Sequence, residues 1–311
     1  MALSADPSPA VAPAARPLLG ILLKVLATLA FTLMAILGRS LAGEIPVGEM
    51  VFFRASFAFL PLLAWMLISR IPLRSLRTQH PLLHARRAAT GMLAMFSYFS
   101  ALVFLPVADL TAIGFASPLI VVVLAATLLG ERVGTYRWSA VAAGFAGVLI
   151  MLMPHLSGEV QSGWGVVLAL ANAVCVAFTM IFIRSMSHSE APLTIAFYFQ
   201  LCCAVVSGIT LAFDWVTPTL EQFLVLAMLG VLGGIGQLLM TTSYRHASAS
   251  TLANFDYAAM IWAVALGWLF FSEVPVAEVF IGAAVVVGSG LFIVWRERQL
   301  GQQVAPAERS H

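Results

Sequence analysis

Apolar residues run along this chain in blocks of about twenty, too long for strands and without the one-sided spacing of a soluble amphipathic helix. Short clusters of charge, proline and glycine separate the blocks. A helix rising about 1.5 Å per residue crosses a bilayer core in roughly 20 residues. The pattern therefore predicts ten spanning helices, at 18–41, 47–69, 86–105, 109–129, 135–153, 163–185, 191–213, 220–245, 249–271 and 275–296. Connections are short. The longest, RIPLRSLRTQHPLLHARR from Arg70 to Arg87, holds five arginines and no acid. The first block is too long for a signal-peptide core, and the small-residue AVAPAA segment precedes it instead of following it, so it is read as a retained span. Residues 1–17, rich in Pro, Ala and Ser, are expected to form a disordered cytoplasmic tail, and residues 297–311 a second tail.

Composition strengthens this picture. The 311 residues are 61% apolar and 10% charged, with a mean hydropathy of +0.98, whereas soluble domains carry about a quarter charged residues. The chain reads as an all-α polytopic membrane protein. Cytoplasmic segments gather Lys and Arg, so the Arg70–Arg87 segment is placed inside, and the N-terminus with it. Ten spans then put Arg16, Lys24, Arg70, Arg74, Arg77, Arg86, Arg87, Arg132, Arg137, Arg184, Arg245, Arg296, Arg298 and Arg309 on the inner side, 14 of the 16 basic residues.

Ten spans divide into two halves of five, and an odd number per half makes the second half enter from the opposite face. A faint repeat fits that division. The stretch Leu105–Glu131 recurs 142 positions later as Ala247–Glu273, with Leu110/Leu252, Ala116/Ala258, Val122/Val264, Leu124/Leu266 and Glu131/Glu273 identical. A second match, at an offset of 145, sets Arg39 against Arg184 and Phe53 against Tyr198. Inverted repeats are a recurrent plan of secondary transporters, with substrate bound near the midplane between the halves. Pro61 and Pro118 are expected to kink their helices. The small-residue pairs Gly230/Gly234, Ala140/Gly144 and Ala143/Gly147 are read as helix contacts.

Charge within the spans carries the most chemistry, because an Asp or Arg at the centre of a membrane helix costs about 2.5–3.5 kcal/mol on insertion scales. Two candidates stand out, Asp256 and Arg54, each seven residues into its predicted span. Asp256 is read as a proton-coupling carboxylate or ammonium partner in a cavity, and Arg54 as a group meeting a substrate carboxylate. For Arg54, snorkelling to the interface or a lock onto backbone carbonyls stands beside that reading. Tyr98, Asn172, Tyr198 and Gln237 are further candidates, each equally able to bond a neighbouring helix. Trp65, Trp138, Trp164, Trp215, Trp268 and Trp295 lie near span ends as an interfacial belt, and Trp262 alone is central. Six residues beyond Asp256 at about 100° per residue, Trp262 is rotated about 120° from it, able to flank the same cavity.

Two segments, SYRHASASTLANFDYAAMIWAVALGWLFFSEVP and ALVFLPVADLTAIGFASPLIVVVLAATLLGERV, together with FFRASFAFLPLL at Phe52–Leu63, resemble the EamA repeat of the drug/metabolite transporter superfamily. The resemblance covers Leu18 to Trp295 and implies two repeats, 18–153 and 163–296, of five helices each around a central cavity. It implies export of small metabolites by alternating access, nearest the broad amino-acid exporters, aromatic amino acids included. The departure is Met260, where the first half has Pro118, so the halves need not move alike.

Other classes fit less well. The six histidines fall in expected loops, span ends or the tail, there is no HExxH or GxSxG, and the sole lysine is in no phosphate-binding loop. Cys175, Cys202 and Cys203 have no ligand spacing. No enzyme activity, metal, cofactor, nucleic acid or ATP is expected. The partners are a small-molecule substrate and the lipid bilayer, and the chain is expected to act as a monomer. The 15 arginines against one lysine, with the family, suggest a bacterial inner membrane with both termini cytoplasmic. Export of cationic drugs or nucleotide-type metabolites is the alternative within the class, and a channel or a non-transporting scaffold the alternative outside it.

Overall fold

The computed structural model describes residues 17–128, 133–156, 160–186, 189–243, 246–247, 252 and 255–304. Among the described residues twelve long α-helical elements follow one another: α1 (Pro17–Ser40), α2 (Val47–Phe57), α3 (Phe59–Ile68), α4 (Pro81–Phe104), α5 (Val107–Gly114), α6 (Ala116–Leu128), α7 (Thr135–Leu156), α8 (Val160–Met186), α9 (Pro192–Thr210), α10 (Leu220–Ser243), α11 (Ala258–Phe271) and α12 (Ala277–Val304). Among the described residues nine stretches are long and apolar enough to span a membrane, α2 with α3 and α5 with α6 each forming one. The shorter apolar α11 makes the tenth passage. Glu131, Glu159, His188 and Arg245, and the side chain of Arg184, lie outside the described residues. So do residues 1–16 and 305–311 of the expected tails, while α12 runs to Val304, past the expected end of the last span at 296.

Helix packing displays the inverted repeat. In span order, the first packs along the eighth (α1 on α10) and the sixth along the third (α8 on α4), two contacts that exchange when the halves are swapped. The second packs on the seventh (α2 on α9) and the fifth on the tenth (α7 on α12), each pair joining equivalent spans. The bundle buries polar and small side chains alongside a core of large apolar ones such as Phe99, Leu102 and Leu226, and leaves other large apolar side chains facing outward. On α9, Gln200, Cys203 and Ser207 are buried while Leu201, Val205 and Ile209 are exposed. With no hydrophobic drive between helices in lipid, close backbone approach does the packing. A Cβ at Gly147 would sit 2.8 Å from the carbonyl oxygen of Gly282, so α7 and α12 meet at two glycines. Gly230 and Gly234 likewise seat α10 against the backbone of Phe53, Arg54 and Ala58. Trp65, Trp138, Trp164, Trp215, Trp268 and Trp295 are all exposed, and Trp262 is not.

Three expected spans are interrupted. The second breaks at Ala58, where Pro61 has no N–H for the helix ladder and crowds the carbonyl of Phe57. The fourth breaks at Phe115, where Pro118 frees the carbonyl of Gly114 and the Ser117 hydroxyl donates to it at 2.8 Å. The ninth does not run as helix through Asp256. Phe255–Tyr257 form a turn, and α11 starts only at Ala258, with Ala259 and Met260 donating three residues back to Asp256 and Tyr257. Phe115 and Tyr257 are 142 positions apart, so both halves break at the same place although only one carries the proline. A further correction concerns α4, which starts at Pro81 and not at 86. Proline suits a first turn, whose N–H groups have no partner in any case, and the earlier start draws His84 and Arg87 out of the expected loop into a buried helix.

Candidate functional site

The broken spans meet at the middle of the bundle. The Phe115 and Tyr257 rings stand edge to face, 5.2 Å apart, so the two symmetry-related breaks touch. Around them opens a cavity of about 450 Å³, lined from the first half by residues including Thr28, Tyr98, Thr111 and Ser117, and from the second by Asn172, Asp256 and Tyr257. A smaller cavity of about 320 Å³ adjoins it, bordered by Arg54, Arg87 and Phe199. Phe31, Tyr98, Asn172 and Val176 line both.

Asp256 is not alone in the bundle. Lys24 Nζ lies 2.6 Å from its Oδ1, the lysine side chain 1% exposed and the aspartate 47%. Lys24 is therefore a buried residue of α1 and not an inner-loop cation, and the only lysine of the chain pairs with the acid that lines the cavity. Asp256 stands in the turn before α11 and lines the larger cavity. Tyr98, Tyr257, Asn172 and the hydroxyls of Thr28, Thr32, Thr111 and Ser117 add polar groups to a largely apolar wall.

Arg54 is 4% exposed and does not snorkel. Its Nη1 donates to Gln200 Oε1 at 2.9 Å, and its guanidinium carbon lies 5.9 Å from the Phe199 ring centre. Arg87, 5% exposed, stacks on the same ring at 3.6 Å. Lys24 and Arg87, two of the 14 basic residues expected on the inner side, are therefore buried in the bundle.

Polar ties link helix ends on both sides. On the side away from the N-terminus, Arg39 pairs with Glu273 at 3.0 Å and donates to the carbonyls of Leu102 and Val103, joining the ends of α1, α4 and α11. Ser272 in the left-handed region (φ 56°) turns Glu273 back onto α11, its N–H bonded to the Gly267 carbonyl. Glu49 accepts from the Val216 N–H on that same side. On the N-terminal side Glu190 faces His84 at 3.7 Å and accepts from the Thr78 hydroxyl.

Of the residues predicted for the site, Asp256, Tyr98 and Asn172 line the larger cavity and Arg54 the smaller one. Asn172 also donates to the Ala94 carbonyl at 2.8 Å, fastening α8 to α4. Tyr198 packs on the His84 ring, away from both cavities. Gln237 and Trp262 border neither, and the Trp262 indole N–H is buried without an acceptor among the described residues. Lys24 and Arg87 escaped the sequence reading although a signal existed: Lys24 lies as deep in its own apolar block as Asp256 in its block, from the same side. Among the described residues no cluster of His, Cys, Asp and Glu is arranged for a metal, and the three cysteines are free.

Comparison with known proteins agrees with the geometry. Residues 18–153 and 163–295 each match the EamA-like transporter family. A riboflavin transporter of Rhizobium johnstonii is 31% identical over 91% of this chain and 93% of its own. A pseudopaline exporter of Pseudomonas aeruginosa is 31% identical over 86% and 93%. An S-adenosylmethionine uptake transporter of Rickettsia bellii is 28% identical over 81% and 84%. None of these three is named for amino-acid export. A solved structure titled only as a protein shares the fold, with a TM-score of 0.65, 22% identity and coverage of 90% of this chain and 98% of that one. The chain belongs to the EamA-like transporter family, as a multi-pass membrane protein and secondary transporter of small metabolites.

Proposed function

We propose that the cavity between the two halves is the transport path, and that it carries a metabolite with an aromatic or heterocyclic body and a charged head. The observation that supports this most is the meeting of Phe115, Tyr257 and the Lys24–Asp256 pair around one volume built from both repeats. Aromatic rings and an apolar wall suit a flat body, and a few convergent polar groups orient it. Asp256, Tyr98 and Asn172 are the residues assigned to the larger cavity, with Asp256 exchanging Lys24 for a proton or a substrate cation. Aromatic amino acids fit this description, as does S-adenosylmethionine, for which one relative is named; riboflavin, for which another is named, shares the flat body but has no charged head.

The lining reaches Met240, Asp256 and Ile293 toward the end of the bundle that holds the N-terminus, while Arg39 and Glu273 tie the opposite side. With the exposed Arg70, Arg74, Arg77 and Arg86 marking the cytoplasm, this conformation faces inward and both termini are cytoplasmic, in a bacterial inner membrane. Loading from inside suits export. Counterflow in proteoliposomes tests the reading with labelled tryptophan, phenylalanine, riboflavin and S-adenosylmethionine. Exchange of at least one, lowered in Asp256→Asn, is expected, and indifference to all four would sink the substrate class.

A further inference from the structure

The smaller cavity is electrically unbalanced. Arg54 and Arg87 both border it and are 4% and 5% exposed, and no acidic residue lines it. Each guanidinium has five N–H donors. Arg54 spends one on the neutral amide oxygen of Gln200, while Arg54 Nε and Arg87 Nε and Nη1 are buried without an acceptor among the described residues. Desolvating each cation costs several kcal/mol that stacking on Phe199 offsets only in part. Lys24 has Asp256, so two positive charges remain without a carboxylate partner in the cavity walls.

Both guanidinium groups pack onto bare glycine backbone. A Cβ at Gly91 would strike both Arg87 Nη1 and the Phe199 ring, and one at Gly233 would lie 3.2 Å from Arg54 Nε. Glycine on α4 and on α10 thus lets both guanidinium groups sit where they border the cavity, at positions that a side chain would displace. Arg87, stacked face-on at 3.6 Å, has its in-plane donors left for a ligand. Phe199 is the residue that the offset of 145 sets opposite Arg54, so the arrangement lies where the two halves mirror each other.

We propose that Arg54 and Arg87, held by Phe199 and Gln200, form an oxyanion subsite that receives a carboxylate or phosphate group of the transported molecule. Charge-assisted, bidentate pairing is what guanidinium provides to such groups. The body of the molecule then passes Tyr98 and Asn172 into the larger cavity, toward Asp256. A substrate with a cationic centre as well as an oxyanion meets a complementary charge at each end. This inference rests on the reading of the cavity as the transport path, and it restricts the substrate class to molecules bearing an anionic oxygen head.

The test is calorimetric binding of benzoate, phenyl phosphate and neutral benzamide to the full chain in nanodiscs. Saturable binding of benzoate or phenyl phosphate but not benzamide is expected, and the better of the two tells carboxylate from phosphate. Arg87→Gln should weaken it by about tenfold to a hundredfold, the usual worth of a hydrogen bond to a charged group, and Arg87→Lys should restore part of the loss. Gly91→Ala, whose methyl displaces the Arg87 guanidinium and the Phe199 ring while keeping both arginines, should weaken it as well and serves where Arg87→Gln does not fold. Equal binding of all three probes, or anion binding unchanged in both Arg87→Gln and Gly91→Ala, overturns the subsite. If the chain exchanges metabolites in counterflow and yet ignores these anions, the subsite alone falls. If the anions bind and no metabolite exchanges, the transport reading falls and the subsite stands.

Discussion

Replacing Asp256 by Asn leaves the Lys24 ammonium at 1% exposure facing a neutral amide where its carboxylate stood 2.6 Å away. Breaking a buried pair from one side typically costs about 3–5 kcal/mol, because the remaining charge stays desolvated. The reverse change is milder. Lys24→Met leaves a carboxylate whose side chain is 47% exposed to the cavity, and a pair partner in that position is worth about 1 kcal/mol or less. Lys24→Met with Asp256→Asn removes both charges, and a neutral, packed replacement is often no worse than the original pair. The expected order of melting temperatures therefore has Asp256→Asn lowest, Lys24→Met close to the parent, and the double variant well above Asp256→Asn. Melting of detergent-purified protein, followed by tryptophan fluorescence with monodispersity as a control, measures it. If Lys24→Met is the more damaging single change, or if the two losses simply add in the double variant, the pair is not what holds Lys24 inside the bundle.

Other consequences are open to measurement. Gly147→Leu forces a side chain onto the Gly282 carbonyl and Val285 and should destabilise by about 1–3 kcal/mol as overpacking does, while Gly288→Leu, where an added Cβ meets nothing within 4 Å, should leave melting unchanged. Pro118→Ala restores an N–H able to bond the Gly114 carbonyl in competition with Ser117, so the fourth span should straighten and counterflow slow without loss of folded protein. Arg39→Gln removes the tie to Glu273 and to two α4 carbonyls, and should speed maleimide labelling of a cysteine placed in the cavity from the side away from the N-terminus.

Span number, the two-fold plan and Asp256 were legible because each leaves a one-dimensional trace. Block length gives the spans, an odd count per half gives the inversion, and an acid in an apolar block is conspicuous. Lys24 was hidden by its place within seven residues of the expected inner end of its block, where a cation reads as part of the inner-side charge bias. Arg87 was hidden by the proline that starts α4 early, which moved a loop arginine into the interior. The break at Tyr257 had no proline to announce it, and only its symmetry with Phe115 makes it intelligible. Tyr198, Gln237 and Trp262 illustrate the opposite difficulty: depth is readable from sequence, but the face a side chain takes depends on the rotation set by neighbouring helices.

Alternating exposure of the cavity between the halves is most directly tested at Thr111, which lines it from α5. With Cys175, Cys202 and Cys203 replaced, Thr111→Cys in oriented vesicles is treated with a membrane-impermeant maleimide from one side at a time. Labelling from the N-terminal side at rest, and from the opposite side once substrate or Arg39→Gln shifts the population, is the predicted result. Labelling from one side alone under every condition would contradict it.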